Sequence, residues 1–227
     1  MSDSVTEFTA RRNDILKRID VAAKTADRKP SDVVLVGVSK KQPDERIEHA
    51  LAAGQRVFGE NRVQEAQARW AERRAGLPDL ELRLIGPLQT NKAEQAVALF
   101  DVIETLDRLK LSKAIKSAMA KTGRTPRLYV QVNTGEEDQK AGIAPHELAN
   151  FLKQLRDEFA FEIEGLMCIP PAEEPVGPHF ALLADLAAAN GVEKLSMGMS
   201  SDYEMAVKFG ATSVRVGSAL FGERPSA

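Results

Sequence analysis

Cysteine, aromatic residues and histidine are scarce in this chain of 227 residues, which has one Cys, one Trp, two Tyr and three His. Cys168 has no second cysteine to pair with, so an internal disulfide is excluded. His49, His146 and His179 fall on separate predicted helices and have no thiolate or carboxylate at metal-ligand spacing. The sequence therefore predicts no metal site.

An excess of charge of either sign is also missing, because 31 Lys and Arg face 33 Asp and Glu and the formal net charge is -2. With so few aromatic platforms for stacking, this balance gives no reason to expect nucleic acid as a partner. No uninterrupted apolar run approaches the ~20 residues that cross a bilayer. Residues 1–7 lack the basic start and apolar core of a secretory signal. We expect a cytoplasmic protein without membrane partners.

What the chain does contain is a repeated alternation of strand and helix patterns. This alternation is typical of an α/β protein, specifically a (β/α)8 or TIM barrel. The alternative, a doubly wound open sheet, usually has a glycine fingerprint at its first turn, which Ser39–Pro43 does not provide. The predicted strands are 33–38, 55–59, 80–85, 102–105, 128–133, 163–169, 194–197 and 212–216. After the first strand, one helix is predicted to begin near residue 43. Further helices are predicted over 60–76, 91–99, 108–121, 145–159, 179–189 and 202–209.

An extra helix is predicted at the N-terminus, over about 4–26. Ser4 and Glu7 have the spacing of a capping box, and apolar residues recur on one face. Because little chain follows the eighth strand, this helix could cover part of the barrel's outside. No composition break or internal repeat divides the chain, so we expect a single domain over 1–227.

The first strand ends in two lysines, Lys40 and Lys41, after a continuous apolar run. An amine among apolar walls has its charged form disfavoured, and its neutral form can make a Schiff base with an aldehyde. Alternatively, both lysines only solvate the barrel mouth, the end where the strands' carboxyl termini converge. Because side chains alternate, only one of the two faces the barrel interior, and the sequence alone does not say which.

Polar residues also follow other strands. Small-residue turns at Ser196–Asp202 and Val216–Ala219 follow strands seven and eight, the usual phosphate position in this fold, although such turns also cap helices. Arg215 lies inside an apolar strand, where it needs either a ligand or a salt bridge to a neighbouring strand. Asn61 and Asn133 could orient a ligand or serve only as turn residues. Cys168 is interpreted as a small buried apolar residue rather than a nucleophile.

Several stretches together resemble the pyridoxal phosphate homeostasis proteins, in the expected order and over nearly the whole chain. They are Val38–Lys40 with Gln42 and Pro43, Phe58–Glu65, Ile85–Lys92, Gln131–Thr134, Gly165–Met167, Leu195–Ser200 and Val214–Gly217. Two positions depart from the common pattern. Leu82-Arg83-Leu84 replaces the frequent Trp-His-Phe, and Lys41 replaces the threonine that commonly follows the Schiff-base lysine; we assign no role to Lys41 or Arg83.

The resemblance implies an alanine-racemase-type barrel that holds pyridoxal 5′-phosphate (PLP) as an internal aldimine, with no firmly assigned activity. It implies that Lys40 is the Schiff-base lysine and that Ser200, Gly217 and Ser218 contact the phosphate. It also places Arg215 at the pyridine nitrogen and Asn61 near the edge of the ring. An arginine at that nitrogen keeps it unprotonated and weakens the ring as an electron sink.

The function expected from this resemblance is PLP homeostasis, by a monomeric carrier that could supply apo-enzymes and is not itself an enzyme. Alanine racemases add a C-terminal β domain with a catalytic tyrosine, whereas this chain has only Tyr129 and Tyr203. One alternative is an amino-acid racemase or related PLP enzyme that acts as a bare barrel. A second is an aldolase or phosphate-sugar enzyme that uses Lys40 without PLP.

Overall fold

Eight parallel strands close into a barrel in the computed structural model, which describes residues 4–223; residues 1–3 and 224–227 lie outside it. Each strand pairs with the next one along the chain, and the eighth pairs with the first. The predicted (β/α)8 barrel is therefore confirmed. The strands are β1 Val34–Val38, β2 Val57–Glu60, β3 Glu81–Leu84, β4 Val102–Leu106, β5 Arg127–Val132, β6 Ile163–Cys168, β7 Lys194–Ser196 and β8 Ser213–Val216.

Helices surround this barrel and cover its apolar outer face. They are α1 Val5–Thr25, α2 Asp44–Ala52, α3 Val63–Trp70, α4 Ala93–Leu99, α5 Leu109–Thr122, α6 Leu148–Phe159, α7 Val176–Asn190, α8 Tyr203–Lys208 and α9 Ser218–Phe221. Short 3-10 turns occur at Pro30–Asp32, Arg73–Gly76, Thr90–Lys92 and Pro145–Glu147. Within residues 4–223, no helix has both the length and the apolar composition to cross a bilayer.

Several helix boundaries differ from the prediction, most clearly those of α3 and α7. The predicted helix 60–76 is wrong at both ends, because Glu60 ends β2, where its carbonyl oxygen accepts from the amide of Ile85 at 2.9 Å, and the α-helix stops at Trp70. Helix α7 begins at Val176, not at His179, since Pro175 precedes its first turn and Pro178 is tolerated within it.

Helix α1 packs against α8 and α9, where a long eighth outer helix would otherwise lie. The rings of Phe8 and Phe221 pack at a tilt of 60° with centroids 5.3 Å apart, and Nε of Arg11 donates to the carbonyl oxygen of Leu220 at 2.9 Å. Its N-terminus carries the predicted capping box of Ser4 and Glu7. The N-terminal helix thus covers the part of the barrel that the four-residue α9 leaves open.

Candidate functional site

The turn after β1 distinguishes the two lysines. A side chain at Gly37 would meet Leu220 and Phe221 outside the barrel, and the hydroxyl of Ser39 donates to Oε1 of Glu60 at 2.7 Å beside helix α3. By alternation, Val38 faces the other side, toward the barrel interior, and Lys40 follows in the turn that the amide of Gln42 closes on the carbonyl oxygen of Ser39 at 3.1 Å. Lys40 is half-buried, whereas Lys41 is exposed and has a left-handed backbone with φ 57°.

This turn is held from outside by Arg69 of helix α3. Its Nη1 donates to the carbonyl oxygen of Ser39 at 2.7 Å, and its Nη2 donates to that of Gln42 at 2.7 Å. Glu60, which is fully buried, accepts from Nη1 of Arg69 at 3.0 Å and from Nε1 of Trp70 at 2.9 Å. Arg69 therefore binds the backbone on both sides of the Lys40–Lys41 pair. The sequence did not predict this role, because only the fold brings α3 to this turn.

The turns after β7 and β8 meet at the same end of the barrel. The amide of Gly217 donates to the hydroxyl of Ser200 at 3.1 Å, and Ser218 begins α9 as an exposed residue. A side chain at Gly217 would lie 3.6 Å from Cβ of Val38, so this turn stands beside the end of β1. The predicted phosphate residues and Lys40 thus belong to neighbouring strand ends.

Arg215 is buried below this turn and is 3% exposed. Its Nη1 donates to the hydroxyl of Ser196 at 2.7 Å, and its Nη2 donates to the carbonyl oxygen of Cys168 at 2.7 Å. In the described part of the chain it forms no ion pair, so the alternative of a salt bridge to a neighbouring strand is wrong. A guanidinium has five N–H donors, and these contacts use two of them. The remaining donors can serve a ligand.

The two asparagines behave differently. The side chain of Asn133 closes its own loop, donating to the carbonyl oxygen of Glu137 at 2.9 Å and accepting from its amide at 3.3 Å, which is turn chemistry. By contrast, Oδ1 of Asn61 is buried and has no hydrogen-bond partner in the structure. Asn61 lines a cavity of about 670 Å³ together with Leu88 and Arg108. A buried acceptor without a donor is costly unless a ligand or water supplies one.

Cys168 contributes its carbonyl oxygen to this constellation, as the acceptor for Nη2 of Arg215. Burial raises the pKa of the Cys168 thiol to about 12, so it remains protonated at neutral pH and is not a nucleophile. His179 is buried between the carbonyl oxygen of Thr134 at 3.2 Å and Glu174 at 3.1 Å. Among residues 4–223, no cluster of three or more His, Cys, Asp or Glu side chains could hold a metal ion.

The donor set at the mouth fits a phosphorylated aldehyde. It offers an amine at the end of β1, hydroxyl and amide groups after β7 and β8, a buried guanidinium and the unpaired acceptor of Asn61. The closed parallel barrel with a strand-end lysine fits an alanine-racemase-type barrel. Residues 14–225 match the family described as alanine racemase, N-terminal domain.

Known proteins narrow this class further. The pyridoxal phosphate homeostasis protein of Pseudomonas aeruginosa is 40% identical over 218 residues, which cover 92% of this chain and 93% of that relative. Its counterpart in Escherichia coli is 34% identical over 216 residues, 91% of this chain and 92% of the relative. This chain belongs to the family of pyridoxal phosphate homeostasis proteins.

Solved structures agree with this assignment. PipY of Synechococcus elongatus, solved with PLP bound, is 41% identical, with a TM-score of 0.76 over 92% of this chain and 100% of that chain. An alanine racemase of Clostridium difficile is 17% identical, with a TM-score of 0.68 over 94% of this chain and 58% of that chain. The racemase shares the barrel fold.

Proposed function

We propose that this protein binds PLP and acts in PLP homeostasis as a cytoplasmic, monomeric carrier, with 1–227 as a single binding domain. The observation that carries the proposal is the half-buried Lys40 beside the Ser200–Gly217 turn, in a chain that belongs to a family named for PLP homeostasis. The PLP-bound PipY structure supports the same ligand. PLP-dependent apo-enzymes would be the recipients.

Lys40 is the residue that would hold the cofactor covalently. It would do so through a C=N bond between its Nζ and the aldehyde carbon, formed with the loss of one water molecule. The turn geometry supports this role, because Arg69 fixes the backbone on both sides of the lysine and so lowers the entropy lost on attachment.

The remaining residues would bind the cofactor without covalent bonds. Ser200, Gly217 and Ser218 offer hydroxyl and amide donors to a phosphate at one strand end. The free donors of Arg215 would meet the pyridine nitrogen, and Oδ1 of Asn61 would accept from a group at the ring's edge. When bound, PLP supplies an electron sink, which an arginine at the pyridine nitrogen weakens.

A carrier is favoured over an enzyme because both tyrosines lie away from the mouth. Tyr129 lines a cavity with Val34 and Lys194, at the strand starts, and burial raises its pKa. Tyr203 packs under the guanidinium of Arg18 from α1, 5.4 Å from its ring centroid, on the outside of the barrel. Neither phenol is placed to exchange protons with a ligand held at Lys40.

The test is the visible absorption spectrum of purified protein supplied with PLP. We expect a visible band from covalently held PLP. Reduction with borohydride should shift this band and then remove it. Lys40→Ala should remove the band, whereas the matched Lys41→Ala should keep it. The assignment of PLP fails if the wild-type protein shows no such band, and the assignment of Lys40 fails if only Lys41→Ala removes it.

A further inference from the structure

Buried polar side chains form a continuous line across the barrel interior below the mouth. Arg215 on β8 donates to the hydroxyl of Ser196 on β7 at 2.7 Å, and this hydroxyl donates to Oε2 of Glu104 on β4 at 2.6 Å. The other carboxylate oxygen of Glu104 accepts from Nη1 of Arg83 on β3 at 3.1 Å. All four residues are at most 3% exposed. We call them the interior relay.

The hydroxyl of Ser196 gives the relay its direction. Serine has one hydrogen to donate, and here it goes to Glu104, so Arg215 meets the lone pairs of the same oxygen. A hydroxyl that donates to a carboxylate is polarised and becomes a better acceptor. Arg215 is therefore tied to a carboxylate on the opposite wall of the barrel through a single oxygen atom.

The relay contains two guanidinium groups, on Arg83 and Arg215, and one carboxylate, on Glu104. Burial lowers the pKa of Arg83, but the nearby Glu104 and Glu81 raise it by more than burial lowers it. The pKa of Arg83 therefore lies above its ordinary value. Nε of Arg83 contacts Glu81 at 2.6 Å. Glu104 thus contacts Arg83 directly and Arg215 through the hydroxyl of Ser196, while Glu81 is shared by Arg83 and Arg127.

Two further titratable groups near the relay, Tyr129 and Cys168, stay uncharged at neutral pH. Burial raises the pKa of Tyr129 and also that of Cys168, whose carbonyl oxygen binds Arg215. Arg127 and Glu164 lie near Tyr129 at the strand starts. Glu104 is the carboxylate that Arg215 reaches through the hydroxyl of Ser196, and Arg83 is its ion-pair partner.

We propose that Ser196 and Glu104 are positioning residues that fix the guanidinium of Arg215 against the PLP ring and so keep the ring nitrogen unprotonated. This proposal rests on the proposed function. A fixed cation disfavours a second positive charge beside it, whereas an untethered guanidinium can turn away and leave the nitrogen to water. Arg83, which stands where the family often has histidine, forms an ion pair with Glu104 inside the barrel.

The experiment compares Ser196→Ala with Ser213→Ala in the full chain. Ser213 is the register partner of Ser196, is 2% exposed, and its buried hydroxyl has no hydrogen-bond partner in the structure. Both variants remove one buried hydroxyl from neighbouring strands, but only Ser196→Ala cuts the relay. The readouts are PLP affinity, thermal unfolding, and the 15N chemical shift of PLP labelled at its ring nitrogen.

We expect Ser196→Ala to weaken PLP binding about tenfold, the order expected when a hydrogen bond to a charged group is lost. Its ring-nitrogen shift should move toward the protonated value near neutral pH, while Ser213→Ala keeps the wild-type shift. The proposal is overturned if both variants keep the wild-type shift and affinity, including the case in which Ser196→Ala changes only thermal stability. Absence of PLP binding by the wild-type protein would instead overturn the proposed function itself.

Discussion

Arg69 and Ser39 are joined by a hydrogen bond of 2.7 Å from the guanidinium to the carbonyl oxygen, which ties helix α3 to the turn that carries Lys40. The same guanidinium reaches the carbonyl oxygen of Gln42 at 2.7 Å. Because these two carbonyls flank Lys40 and Lys41, the backbone of the lysine pair cannot shift without breaking both contacts. A side chain outside the barrel thus holds the geometry of the amine at its mouth.

Replacing Arg69 tests this hold. Arg69→Met keeps much of the length of the side chain and removes both donors, so we expect PLP affinity to fall about tenfold, because hydrogen bonds from charged groups contribute roughly 1.5–3 kcal/mol each. The matched control is Arg73→Met, since Arg73 pairs with Glu48 at 2.8 Å and does not touch the turn. Titration with PLP, followed by absorbance, measures the effect. Equal affinities of the two variants would contradict the role of Arg69.

Replacing Glu60 should lower the free energy of unfolding more than replacing an exposed glutamate does. Its Oε1 accepts from Ser39, Arg69 and Trp70, and the residue is fully buried. Glu60→Gln leaves the mostly buried Arg69 without its close carboxylate, and breaking a buried ion pair costs about 3–5 kcal/mol. Urea unfolding gives the free energy. The control Glu94→Gln breaks the exposed pair with Lys121 and should cost less than about 1 kcal/mol; a similar loss in both variants would refute the expectation.

The fold could be predicted from the sequence because strand and helix patterns are local. The eight strands appear as short apolar runs, and their order in the barrel follows from the chain. The predicted helix start at residue 60 failed because Glu60 looks like a helix-forming acid, while its carboxylate is used by Ser39, Arg69 and Trp70 from elsewhere in the chain. The pairing of β2 with its neighbours, not the residue type, places Glu60 in a strand instead of a helix.

Among the residues that surround the site, some could be named from the sequence and others could not. Lys40 and the Ser200–Gly217 turn stand out because an amine and small residues at strand ends are locally unusual. Ser196 and Glu104 do not, since a serine or a glutamate in a strand gives no sign of its partner. Their contact joins residues 92 positions apart, and only the closed barrel brings them within 2.6 Å.

Gly198 should be essential for the turn that carries Ser200. Its φ is 92°, and a Cβ there would lie 2.5 Å from Cβ of Ala206. Gly198→Ala therefore combines backbone strain with a clash in α8, and we expect a loss of about 2–4 kcal/mol together with weaker PLP binding. Gly54→Ala isolates the backbone effect, because Gly54 also has a positive φ, 81°, but no atom within 4 Å of the added carbon. Thermal unfolding that ranks the two variants equally would exclude the clash.

Cys168 should resist alkylation in the folded protein. Since burial raises the pKa of its thiol to about 12, from 9.0, the folded state keeps the proton through the range in which an exposed cysteine loses it. By linkage, this group's contribution to stability is complete below pH 9 and is lost as the pH rises toward 12. Iodoacetamide labelling followed by mass spectrometry at pH 8 should be slow in the native protein and fast in urea. Rapid native labelling would show that the thiol is accessible and ionised.

Purified protein loaded with PLP should not racemise amino acids. Racemisation removes a proton from one face of the substrate and returns it to the other, which requires two placed acid–base groups. Lys40 offers one, but Tyr129 lies at the strand starts and Tyr203 packs against Arg18 outside the barrel. Incubation with a panel of L-amino acids and chiral chromatography should therefore give no more D-form than free PLP does. Sustained turnover that disappears in Lys40→Ala would replace the carrier with a bare-barrel enzyme, whereas turnover that persists in Lys40→Ala would point to free PLP or a contaminant, because the variant lacks the amine that holds the cofactor.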